Sequence, residues 1–68
     1  MKKKLSSSNV KSASYDKNSK TLTVTFKKGD RAYDYKVPKS YYNRITASAS
    51  PGKFVHKNLK NLPSTRVK

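Results

Sequence analysis

Over residues 21–26 and again over 31–37, apolar side chains recur at every second position; beyond Pro38 the period becomes that of a helix. That switch constrains the chain more than any other feature, because a period of two needs a pleated strand with one buried face and a period of 3.6 needs a helix. In Arg31-Ala32-Tyr33-Asp34-Tyr35-Lys36-Val37, the residues Tyr33, Tyr35 and Val37 alternate with Ala32, Asp34 and Lys36. Aromatic and β-branched residues suit the buried face, and Pro38, having no N–H to donate, ends the strand. Leu22, Val24 and Phe26 share one face of a strand over 21–26, while Thr21, Thr23 and Thr25 share the other, as in a sheet with one side in water. Lys27-Lys28-Gly29-Asp30 joins the two as a hairpin loop, with Gly29 able to take a positive φ.

A first strand is expected over 9–15, with Val10, Ala13 and Tyr15 as its apolar members. The step from Val10 to Ala13 breaks alternation, and a bulge restores it. Asp16-Lys17-Asn18-Ser19-Lys20 is a turn, rich in side chains that hydrogen-bond their own backbone. After Pro38, residues Tyr41, Tyr42, Ile45 and Ala49 fall on one helical face, with Pro38 in the first turn or Ser40 as N-cap. Ser50-Pro51-Gly52 breaks this helix and starts another over about 51–61. There Phe54, Val55, Leu59 and Leu62 share a side with Asn58, and Lys53, Lys57 and Lys60 form a stripe opposite. Pro63 ends the pattern. The expected fold is α+β: a three-stranded antiparallel β-meander followed by two short helices packed on one face. Residues 1–8 read as a flexible basic arm with nothing to bury, 9–62 as a single domain and 63–68 as a basic tail.

Leu, Ile, Val and Phe together number twelve of 68 residues, and the formal net charge is +14. Such a balance borders on that of disordered chains. The strict alternation and the five tyrosines, which add apolar area, argue for a folded domain instead. The chain has no cysteine and therefore no disulfide or thiolate site. No apolar run approaches the ~20 residues of a membrane span. The basic start Met1-Lys2-Lys3-Lys4 is not followed by the apolar stretch of a signal peptide. A soluble, cytoplasmic monomer is expected.

Seventeen Lys and Arg against three Asp and no Glu point to a polyanionic partner. Catalysis is not expected: there is one His, and Asp16 and Asp30 are accounted for by turns and Asp34 by pairing with a neighbouring lysine. A single His and no Cys give no zinc site, and no cofactor is implied. His56 reads as a surface residue near the lysine stripe. Core packing is the reading for Tyr33, Tyr35, Tyr41 and Tyr42, with Tyr15 left open. The candidate contacts are therefore Lys53, Lys57, Lys60, Lys36, Lys11 and Arg44, touching phosphates of RNA or single-stranded DNA without strong sequence specificity. The alternative is a protein-interaction or inhibitor module, phage-encoded, that docks on an acidic protein surface.

Several of these residues together resemble the KTSC domain, a small family named for the C-terminal region of some lysyl-tRNA synthetases and found also as stand-alone proteins of bacteria and phages. The resemblance runs from about Ser7 to Leu59. It lies in Ser8-Asn9-Val10, Tyr15-Asp16, Leu22-Thr23-Val24-Thr25-Phe26 and Gly29. It continues through Tyr33-Asp34-Tyr35, Val37-Pro38, Tyr42 and Ala49-Ser50-Pro51-Gly52-Lys53-Phe54 with Asn58. It implies a short β-meander followed by helices and no enzyme activity; nucleic-acid binding has been suggested for the family. The chain departs from the family pattern after Leu59, where Asn61-Leu62-Pro63 carries no aromatic.

Overall fold

The computed structural model describes residues 1–5 and 9–67. Strands β1 (Lys2–Lys4), β2 (Val10–Asp16), β3 (Thr21–Phe26) and β4 (Ala32–Lys36) precede helix α1 (Lys39–Ala47). Helix α2 (Pro51–Phe54) follows and runs on through a π-helical turn at Val55–Leu59, and β5 (Ser64–Arg66) closes the chain. The sheet order is β1-β2-β3-β4-β5, with each neighbouring pair antiparallel.

The α+β class and the antiparallel sheet with two helices are as expected, but the sheet has five strands and not three. The two additional strands come from the segments expected to be an arm and a tail. Lys2, Lys3 and Lys4 pair with Ser14, Ala13 and Ser12, and Ser64, Thr65 and Arg66 pair with Tyr35, Asp34 and Tyr33. All six side chains of β1 and β5 are exposed. Alternation reports a buried face; an edge strand held by backbone bonds alone leaves none, and lysines on an edge also discourage further pairing. Leu5, just past β1, is 9% exposed and belongs to the core, so the N-terminal segment does bury a side chain. Its N–H donates to the Lys11 carbonyl at 3.0 Å. The part of the expected arm at 6–8, and Lys68 of the expected tail, lie outside the described residues.

The central meander follows the sequence pattern closely. The register shifts between Val10 and Ser12, the bulge that alternation required. In the turn after β2 the Asn18 N–H donates to Asp16 Oδ1 at 2.9 Å and holds that carboxyl below its ordinary pKa. Gly29 in the β3–β4 loop takes φ +70°, the left-handed region that a Cβ disfavours. On the outer face the Thr23 hydroxyl donates to Asp34 across the β3–β4 pair. Asp34 therefore bonds a threonine there.

The opposite face carries the core. Leu22, Val10, Val24, Ile45 and Leu59 are fully buried, and Tyr35, Phe54 and Val55 nearly so. Tyr15 and Tyr42 are also core residues, with ring centroids 6.2 Å apart and the Tyr15 hydroxyl donating to the Val37 carbonyl at 2.9 Å. Burial, with the nearby Tyr33 as the smaller cause, pushes the Tyr35 phenol above its ordinary pKa. Tyr33 and Tyr41 are only half-buried, packed at the margin of the core.

Two helical details depart from expectation. α1 ends at Ala47, so Ala49 is exposed beyond it and is not part of its buried face. The second helix is α-helical only over Pro51–Phe54. The Lys60 N–H then reaches back five residues to the Val55 carbonyl at 3.0 Å. Asn58 Nδ2 donates to the Phe54 carbonyl at 3.2 Å, competing for an acceptor that regular helical bonding would use. Among the described residues, no helix is long and apolar enough to cross a membrane.

Candidate functional site

The helices leave one end of the sheet's inner face partly open. β3 ends there at Phe26 and β4 begins beside Tyr33, both on the helix-facing side and both half-buried. Their rings meet edge to face at 5.9 Å. Beyond them the loop carries Lys28 and Arg31 to one side, while α2 and its π turn stand on the other. Between lies a cleft of about 510 Å³. Phe26, Tyr33 and Val55, half-buried or buried, give it an apolar lining; Asn9 and Gly52 also line it, as do the exposed Lys28, Arg31, His56 and Lys60.

Gly52 packs closely against the Asn9 side chain in this lining. A Cβ there would stand 3.1 Å from Asn9 Nδ2 and 3.3 Å from Asn9 Cβ, closer than ordinary packing. Without one, the start of α2 lies directly against Asn9, whose carbonyl accepts the Lys27 N–H at 3.0 Å. Asn9 and Gly52, 43 positions apart in the chain, thus join α2 to the hairpin loop.

The candidate residues are distributed as follows. Lys60 lines the cleft, four residues on from His56. Lys53 and Lys57 are exposed but do not line it. Lys11 pairs with Asp30 at 3.3 Å, both side chains more than half exposed, a contact worth little in water. Arg44 lies over the Phe54 ring at 5.1 Å from its centroid, capping the core at α1. Lys36 donates to the Ser19 carbonyl at 3.3 Å, at the far end of β4. There a second cleft of about 580 Å³ is lined by Lys17, Lys20, Lys36 and Lys39 beside Tyr15.

His56 is exposed as expected and also lines the cleft. The sequence pattern does not single out Lys28 and Arg31. The signal for them was a basic loop, Lys27-Lys28-Gly29-Asp30-Arg31, flanked by aromatics at Phe26 and Tyr33. Chemically, the arrangement places cations around aromatic rings, the combination that holds a planar anionic ligand. Among the described residues no group of three or more His, Cys, Asp or Glu is placed to hold a metal ion.

The chain matches no curated protein significantly. Among solved structures, the crystal structure of a KTSC domain protein from Yersinia pestis superimposes with a TM-score of 0.88. The alignment covers 100% of this chain and 97% of that one at 23% identity, a likeness of fold. The profile of the KTSC domain matches residues 6–62. With most of its length matched by that profile, the chain belongs to the KTSC domain family.

Proposed function

We propose that this protein is a small, non-enzymatic nucleic-acid-binding module that grips the phosphates of RNA or single-stranded DNA without strong sequence preference, acting as a cytoplasmic monomer. The observation that carries this reading is the gathering of Lys28, Arg31, His56 and Lys60 around the Phe26–Tyr33 cleft. The charge balance supports it. Seventeen cations face three carboxylates, so fourteen positive charges stay uncompensated however the carboxylates pair. The described Lys and Arg side chains are all exposed. A polyanion relieves their mutual repulsion, and counterion release from its phosphates supplies affinity. Lys53 on α2 and Lys57 on the π turn, both exposed, add positive charge outside the cleft.

A salt titration of affinity for a short fluorescent single strand tests this. Affinity should fall with salt at a log–log slope of about −0.7 per phosphate contact. Changing Lys53, Lys57 and Lys60 to Gln should reduce that slope by about two units and weaken all sequences alike, since phosphates carry no base identity. An unchanged slope would remove these lysines from the interface. Absence of binding by the wild type at low salt would overturn the reading and leave an acidic protein surface as the partner to test.

A further inference from the structure

We infer that the cleft between the β3–β4 loop and α2 holds one unpaired base of the bound strand, packed against Phe26 and Tyr33, while Lys28, Arg31 and Lys60 take the flanking phosphates. This inference rests on the nucleic-acid reading above and adds where a base, as distinct from the backbone, is held.

Three observations carry it. The first is the state of the two rings. Phe26 and Tyr33 are half-buried, fixed by the core behind them and by their mutual edge-to-face contact at 5.9 Å. A ring already immobilised loses little entropy when a base stacks on it. The second is size: about 510 Å³ falls within the 300–1,000 Å³ range of clefts that enclose small ligands. The third is the division of polarity. The aromatic and aliphatic lining is half-buried or buried while the lining cations are exposed, which matches a nucleotide whose base is apolar on its faces and whose phosphates are charged. Arg66 is also paired in register with Tyr33 and adds positive charge beside that ring.

The other basic cleft serves as an internal contrast. It has lysines at Lys17, Lys20, Lys36 and Lys39, but its aromatic, Tyr15, is 4% exposed and its hydroxyl is bonded to Val37. It offers cations without an open ring, a place for phosphate alone. The two clefts lie at opposite ends of the β3–β4 pair, about 20 Å apart by the rise of a six-residue strand.

The test compares a short single strand with the same strand made abasic throughout, both titrated into the whole protein. Stacking of one base is worth ~1–3 kcal/mol, so the natural strand should bind about 5- to 150-fold more tightly. Nuclear magnetic resonance on the wild type should show shifts at Phe26, Tyr33 and Gly52 with the natural strand and not with the abasic one. Tyr33→Leu and Phe26→Leu should each abolish the ratio between the strands and leave the salt slope in place. Should either variant unfold, the wild-type comparison decides alone. Equal affinity for both strands, with a steep salt slope on each, would overturn the base site while leaving phosphate binding intact. Binding to neither strand would overturn both readings, and a preserved ratio in folded Tyr33→Leu would overturn the role of the ring.

Discussion

Tyr35→Ala should cost about 3–5 kcal/mol, a large share of the roughly 3–10 kcal/mol of stability expected for a chain of this size. Tyr35 is 6% exposed and lies in the middle of the core face of β4, opposite Leu22 on β3. Truncation removes a ring that the helices cover, and a domain of this size has little stability to spare. Urea denaturation followed by circular dichroism measures the loss. A cost under about 0.5 kcal/mol, as at an ordinary surface position, would contradict the placement of this ring. The same phenol gives a second readout in alkali. Its folded pKa is raised above the usual phenolic value near 10. As pH rises through that range the unfolded chain releases the proton first, so the wild type loses stability there. Tyr35→Phe keeps the ring and lacks the proton, and should show a shallower alkaline loss. Every other titrating group is common to the two proteins, so the difference between them isolates the phenol.

Leu5→Ala should destabilise the domain by about 2–3 kcal/mol, near the lower end for buried leucine truncations. A flexible arm would predict no change, because a leucine exposed in both states has no transfer energy to lose. The structure instead has Leu5 at 9% exposure, in the same cluster as Val10, Ala13 and Leu22. It is held there by β1 on one side and by the Leu5 N–H to Lys11 carbonyl bond. The effect should appear as a lower urea midpoint with an unchanged slope, since the folded state is weakened and the surface exposed on unfolding is nearly the same. A midpoint equal to the wild type would mean that the N-terminal segment contributes nothing to the fold.

The alternation of Leu22-Thr23-Val24-Thr25-Phe26 and of Tyr33 to Val37 determined the β3–β4 pair by itself, because a buried face imposes its period on every residue of a strand. The Val10–Ala13 step foretold the bulge, and Gly29 foretold the left-handed turn, for the same local reason. Pro38 and Ser50-Pro51 bounded the helices. What the sequence could not carry were contacts without a periodic signature. β1 and β5 are edge strands held by backbone bonds, and Lys2-Lys3-Lys4 bury nothing of their own. Leu5 alone cannot announce a core position, since one apolar residue has no period.

The cleft shows the same division. Its parts were visible separately: the lysines of the second helix, the basic loop, and the aromatics at Phe26 and Tyr33. Helical spacing at 100° per residue grouped Lys53, Lys57 and Lys60. The tertiary structure sets Lys60, with His56 one turn before it, into the lining of the cleft and leaves Lys53 and Lys57 outside that lining. The meeting of Asn9 with Gly52 is a long-range contact that only packing creates. Local periodicity thus determined which faces are buried, because hydrophobic burial acts on every turn or pleat. Tertiary structure decided which exposed cations and half-buried rings share one cleft, because that depends on how distant segments approach.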